Sequence, residues 1–258
     1  MSQKVLNLKK APGHQVLAKA GKKLLRPGGR FATEKLFATA NFQPGDSVLE
    51  LAASFGYSAI ALAKKHQVKV TGIERNTDSV ATAQANIVAA GAKDRVNVIE
   101  GDILNLDRVP GEFDFVLAEA ILTMQSPSAK AKILRGVRNR LRPGGRFLSH
   151  ELLVCHQNTE IHQALSSAIR VNANPLTKIE WVQACESAGL QVQFYHTGAM
   201  GLLNPKQMVN DEGWLGTMKI TWNMLIDPQL RSRILQMRQV FQEYQDDLGY
   251  IILCAQRP

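Results

Sequence analysis

The stretch Val48-Leu49-Glu50-Leu51-Ala52-Ala53-Ser54-Phe55-Gly56-Tyr57-Ser58 decides how this chain folds. A short apolar run carrying one acid gives way to a turn of small residues that opens a helical pattern. Runs rich in Val, Ile and Leu, separated by helix-length segments, read as buried parallel strands. Two more follow, Val70-Thr71-Gly72-Ile73-Glu74 and Val96-Asn97-Val98-Ile99-Glu100-Gly101-Asp102. Each run carries an acid toward its end: Glu50, Glu74 and Asp102. In an open α/β sheet the carboxyl ends of the strands face one crevice, so acids placed there can meet a single ligand. In the turn after the first run, small residues allow the backbone and the helix N-terminus to approach a polar group closely.

A dinucleotide-binding turn would need glycine at Ala52, Ser54 and Tyr57, and none is present, which disfavours NAD. The order of elements instead resembles the class I S-adenosylmethionine-dependent methyltransferases. That family places an acid two residues before a G-x-G-x-G turn, matched by Glu50 followed by Ala52, Ser54 and Gly56, of which only the last is glycine. The fourth run, Phe113-Asp114-Phe115-Val116-Leu117-Ala118-Glu119, and the Leu141-Arg142-Pro143-Gly144-Gly145-Arg146 turn also resemble the family, as does the chain from about 42 to 151.

The resemblance implies a Rossmann-like, seven-stranded, mostly parallel α/β sheet with a reversed final strand, helices on both faces and a helical cap. It implies S-adenosyl-L-methionine as cofactor. Glu74, next to Arg75, would bind the ribose hydroxyls, and Asp102 with Ile103 the adenine. Ala52, Ser54, Gly56 and Tyr57 would border the methionine tail, and Glu119 could meet its ammonium group. Glu50, inside an apolar strand, is expected to hydrogen-bond the turn. Side chains at Ala52, Ala53 and Ser54 should narrow the methionine pocket or shift the cofactor outward.

Around this centre the chain divides into a helical, basic N-terminal segment over 1–41 and a methyltransferase domain over 42–258, with cap insertions at about 153–176 and 198–226. Helices are predicted over about 15–25, and then from Thr33 as a cap. Others start at Asn76 or Thr77, at Ser126-Pro127, at Thr159, at the Thr177-x-x-Glu180 capping box and at Asp227-Pro228. Strands follow at about 190–196 and 248–255. The late insertion is dense in Met and Trp, so Met200, Leu203, Trp214 and Met218 are candidates to line an acceptor pocket, with helical core as the competing fate.

Composition limits the function classes. The 258 residues suffice for one large core with a cap. No apolar run approaches a membrane span and no signal-peptide pattern opens the chain, so a cytoplasmic location is expected. Cys155, Cys185 and Cys254 are scattered, which suits buried thiols in a reducing compartment. A metal site is disfavoured, because His150, His156, His162 and Glu151 lack ligand spacing.

The formal charge is +9, and residues 1–30 hold eight Lys or Arg and no acid. A solvated face is the commoner fate of such a run. An acidic substrate, peripheral membrane contact or RNA remain as attractions. The absence of aromatics there disfavours single-stranded nucleic acid.

Within the family, Ala118-Glu119-Ala120-Ile121-Leu122-Thr123-Met124 lacks the signature of amino-base methylases. The whole is most similar to small-molecule enzymes of the ubiquinone/menaquinone-biosynthesis type, with a small methyl acceptor as partner and an oligomer left open. An RNA methyltransferase and a cofactor-binding protein without catalysis are the alternatives. Where the acceptor needs a base, Glu119, His150, Glu151 and His156 are candidates, and His150 is the choice.

Overall fold

The computed structural model describes residues 7–258, so Lys4 of the basic segment lies outside the described residues. The three acid-bearing runs become neighbouring strands. β1 (Ser47–Leu51) pairs in parallel with β2 (Lys69–Glu74), and β2 with β3 (Val96–Glu100). On its other side β1 takes β4 (Phe113–Glu119), which pairs with β5 (Leu141–Val154). β7 (Leu248–Gln256) is antiparallel both to β5 and to β6 (Gln191–Ala199), giving the order β3-β2-β1-β4-β5-β7-β6. The sheet therefore has seven strands with the last in sequence reversed. The jump from β1 to β4 opens a crevice at their carboxyl ends, where such sheets bind ligands.

Strand alternation sorts the buried residues onto two faces. Val48, Leu117 and Leu148 face one cluster with α2 (Gly29–Ala40), α3 (Tyr57–His66) and α4 (Thr77–Ala89). Leu49, Val116 and Phe147 face the other with α5 (Pro127–Arg140) and α7 (Lys178–Ser187). By the same parity Glu50, Glu119 and His150 project onto the first face, and Glu151 onto the second. Register completes the grouping, since Glu50 pairs with Leu117 and Glu119 with His150.

The caps explain most helix starts. Asn76 accepts from the Ser79 N–H, Ser126 from Ala129, and Thr177 and Glu180 form a reciprocal capping box. Two boundaries differ from the sequence expectation. α1 is only Gly13–Ala20, because Gly21 leaves the helix at φ 105° as a left-handed cap. Thr33 is not a cap: α2 begins at Gly29, and Thr33 is buried within it. β3 ends at Glu100, and Asp102 instead caps a short 3-10 turn, Ile103–Arg108, by accepting the Leu104 N–H at 2.9 Å.

A third layer of α1, α6 (Thr159–Ile169), α8 (Pro205–Ile226) and α9 (Pro228–Glu243) shares its own apolar cluster. Acids on α8 hold the basic N-terminal segment there. Glu212 Oε1 accepts the N–H groups of Lys23 and Leu24, each at 2.9 Å, and Lys22 Nζ lies 3.4 Å from Asp211 and 3.6 Å from Glu212. Asp211 Oδ1 also accepts the Arg30 N–H at 2.7 Å. Part of the positive excess is thus consumed internally. Of the cysteines, Cys185 and Cys254 are buried, whereas Cys155 is exposed, contrary to the expectation of three buried thiols.

Candidate functional site

The turn after β1 has the backbone of a glycine loop without its glycines. Ala52, Ser54 and Gly56 have φ of 55°, 50° and 75°, all in the left-handed region that L-residues with a Cβ enter at a cost. What holds the loop there is the acid at the end of β2. Glu74 Oε2 accepts the Ser54 N–H at 3.0 Å and Oε1 the Asn76 N–H at 2.9 Å. Each oxygen keeps a second lone pair, so the carboxylate can still accept from a ligand's hydroxyl groups. Arg75 is exposed just beyond it, and Tyr57 is 42% exposed beside Lys23. Asp102 and Ile103 are half-buried at the neighbouring strand end.

Deeper in the crevice a buried polar chain spans three strands and the N-terminal segment. Arg26 Nη2 lies 2.6 Å from Glu119 Oε2 and also donates to Ser58 Oγ, while Nη1 donates to Thr33 Oγ1 at 3.1 Å. Thr33 Oγ1 donates to Glu119 Oε1 at 3.0 Å and lies 3.1 Å from His150 Nδ1. The Gly28 N–H donates to His150 Nε2 at 3.1 Å, which assigns the ring proton to Nδ1. Thr33 then accepts from both Arg26 and His150 and donates to Glu119, using its full capacity.

This wiring corrects the role expected of His150. Its side chain is fully buried, both ring nitrogens are committed within the protein, and it does not line the cavity described below. Burial, with Arg26 nearby, holds its pKa well below the usual histidine value, so the ring stays neutral. Glu119 is equally enclosed. Burial raises its carboxyl above the ordinary range, against the pull of Arg26 and Thr33.

Glu50 is pushed up to about 8, first by burial and then by Glu119, although Arg26, Ser58 and the Ala59 N–H favour its charged form. Its Oε2 is buried without a hydrogen-bond partner. Glu151, on the opposite face, caps the turn after β4. Its oxygens take the N–H groups of Ile121, Leu122 and Thr123 and the Thr123 hydroxyl. His156 is on the surface, 3.6 Å from Asp247.

Beside the crevice lies an apolar cavity, partly open to solvent, with about 110 Å³ of internal space. Its floor is Ala120 and Thr123 past β4 with Leu152 of β5, and its roof comes from α1, α6 and α9, including Leu17, Leu165 and Phe241. Met200 lines it, but Leu203, Trp214 and Met218 do not. Leu203 is buried in the cap cluster, while Trp214 and Met218 are 69% and 56% exposed on α8. His14 is the one titratable side chain in the lining. The side chain is exposed at the rim of the lining, where partial desolvation lowers its pKa and Glu74 opposes the shift.

His14, Arg26 and Thr33 were not singled out from the sequence as site residues. A lone histidine after Pro12-Gly13 carries no motif, and the partners of Arg26 and Thr33 lie on strands far along the chain.

A methyltransferase-domain family model matches residues 48–145, the span holding the turn, Glu74, Asp102 and Glu119. An uncharacterised protein of Haemophilus influenzae is 35% identical over 246 residues, covering 95% of this chain and 98% of that one. Residues 48–145 form a methyltransferase domain, and the chain is a methyltransferase. Its cofactor is S-adenosylmethionine.

The methyltransferase is also 23% identical to a sterol 24-C-methyltransferase of Pneumocystis carinii over 159 residues, 60% of this chain and 41% of that enzyme. In fold it matches a methyltransferase from Geobacter sulfurreducens, solved with S-adenosylhomocysteine, with a TM-score of 0.70. That match has 16% identity over 95% of this chain and 98% of the other.

Proposed function

We propose that this methyltransferase acts on a small, largely apolar acceptor seated in the cavity between the crevice and the α1/α6/α9 roof. The observation that carries the reading is the cavity itself, lined by aliphatic, Met and aromatic side chains with few polar groups. The sterol methyltransferase relative acts on an acceptor of similar character. A polyprenylated ring of the ubiquinone/menaquinone-precursor kind would suit the same lining.

In this reading the 52–57 loop receives the methionine tail, Glu74 the ribose hydroxyls, and Asp102 with Ile103 the adenine. The loop fits that role because its three positive φ values keep the glycine-type shape. The Arg26–Glu119 pair is enclosed behind this loop and supports it through Ser58 at the start of α3. The cofactor supplies a methyl group already activated on a sulfonium. The protein's work is therefore to align the acceptor with it and to exclude water, and such positioning is worth about 7–11 kcal/mol. Where the acceptor bears a hydroxyl, His14 is placed to take its proton, since its lowered pKa keeps the ring neutral at physiological pH.

The test is calorimetric titration with S-adenosylhomocysteine and with NAD, followed by turnover assays on apolar and polar acceptors. Binding of the first alone, with methylation confined to apolar acceptors, is the expected result. Turnover only on charged or polymeric acceptors such as RNA would reject the cavity as the acceptor site.

A further inference from the structure

The second half of α8 carries its apolar side chains on the outside. Gly213, at φ 73° and ψ 172°, breaks the helix just after the acids that clamp the N-terminal segment. Beyond it Trp214, Leu215, Met218, Trp222, Leu225 and Ile226 are between 56% and 81% exposed. At ~100° per residue they fall within an arc of about 120°. Ile220, on the opposite side, is the residue that packs into the cap cluster. An exposed stripe this continuous, with two tryptophans, marks an interaction surface rather than ordinary surface scatter.

The charges around it select the partner. Gly21 lies beside Ile220, Asn223 and Lys219, which places the basic end of α1 against the inner side of α8, with Lys219 between it and the stripe. Lys206 and Lys219 of α8 are exposed, and Arg238 of α9 borders the groove beneath it. Asp227 pairs with Lys19, while Asp211 and Glu212 are engaged with Lys22 and backbone N–H groups, so these acids do not offset Lys206 and Lys219. Residues 213–226 contain one charge, Lys219. A second copy docked through the same stripe would set Lys219 and its neighbouring cations against their own counterparts, in a chain of net charge +9.

We propose that this face of α8 docks the enzyme on an anionic lipid membrane, with the tryptophans at headgroup depth and the surrounding lysines on the lipid charges. Among the described residues no helix is long and apolar enough to cross a membrane, so the contact is interfacial. A second groove lies under the inner side of α8 and shares Leu17 with the acceptor cavity. The membrane contact stands without the proposed acceptor, and the acceptor reading only gives it a purpose.

The test is co-sedimentation of the full chain with vesicles of phosphatidylcholine containing about one quarter phosphatidylglycerol, alongside tryptophan emission. Trp181 is buried, so Trp214 and Trp222 dominate any change in tryptophan environment. Binding is expected to fall at least about tenfold on pure phosphatidylcholine or at ~0.5 M salt. Emission should shift to the blue and be quenched by lipids brominated on their chains. The double variant Trp214→Ser/Trp222→Ser, altered only at exposed positions, should lose binding while keeping S-adenosylhomocysteine affinity. If that variant misfolds, quenching in the native chain decides. Absence of binding to the anionic vesicles, binding without blue shift or quenching, or a stable dimer that these substitutions dissociate would each overturn the proposal.

Discussion

Replacing Ala52 and Ser54 by glycine should stabilise this enzyme, although glycine ordinarily weakens a fold. Both residues hold φ near +50°, where a Cβ crowds the backbone at a cost of about 1–2 kcal/mol per residue. Glycine removes that cost but adds about 0.4–1 kcal/mol of unfolded-chain entropy. The balance is a gain of about 0.5–1 kcal/mol per site, hence about 1–2 kcal/mol for the pair, or a Tm rise of roughly 3–6 °C in a chain of this size. The Ser54 contact with Glu74 runs through the backbone N–H, so it survives the change.

Ala53 is the internal control. It does not share the positive φ, is buried, and its methyl occupies the space that a Cβ on Gly72 would need, 2.6 Å away. Ala53→Gly should therefore cost about 1–2 kcal/mol through lost packing and chain entropy. Urea unfolding of the four proteins, with calorimetric S-adenosylhomocysteine binding, reads both quantities. The loop shape is unchanged, so affinity should move by less than about threefold. If the glycine variants at 52 and 54 lose stability as Ala53→Gly does, side-chain contacts rather than backbone strain govern the turn, and the reasoning fails.

Three further outcomes follow from the site. Glu74→Ala removes the acceptor for two loop N–H groups and for ligand hydroxyls, so S-adenosylhomocysteine should bind about a hundredfold more weakly by calorimetry; retained affinity would remove Glu74 from the cofactor site. His14→Ala should lower kcat/KM on a hydroxyl acceptor by about 10²–10⁴ and flatten the acid limb of its pH profile, with cofactor affinity intact, and a parallel loss at every pH would assign His14 a packing role. Glu50, ordinarily a carboxyl near 4.5 but raised to about 8 in the folded state, binds its proton more tightly folded than unfolded. Stability should thus decline as pH rises through the window between those values. Glu50→Gln should relieve this by up to about 3 kcal/mol between pH 5 and 8, and equal pH slopes for both proteins in denaturant unfolding would contradict a protonated Glu50.

The sheet and most helix starts were legible because their signals are local. Short runs rich in Val, Ile and Leu, the caps Asn76, Ser126 and Thr177 and the Asp227-Pro228 start each act within a few residues. Thr33 shows the limit. Ser or Thr ahead of an apolar run reads as a cap, yet its hydroxyl is taken by Arg26, Glu119 and His150, two of them about 86 and 117 positions away. The Met- and Trp-rich stretch shows another limit, for periodicity reveals that one face of a helix is apolar but not whether that face turns inward. Trp214 and Met218 turn outward, leaving Met200 alone of the four candidates at the cavity. At Ala52 and Ser54 residue type did not reveal the positive φ that both adopt, which at Ser54 goes with an N–H bonded to Glu74.

The buried chain from Arg26 to His150 explains why the N-terminal segment belongs to the site although it precedes the first strand. Ionised Glu119, with little water around it, would be costly without a cation. Arg26 provides that cation from outside the sheet, and it can do so only if residues 22–30 are seated. Seating depends in turn on Asp211 and Glu212 just before the Gly213 break, and on the Gly28 N–H reaching His150. Cofactor crevice, cavity roof and α8 therefore share one set of charges. Leu17, Leu25 and Pro27 of the same N-terminal segment line the cavity, so the bonds that seat Arg26 also position that part of its wall.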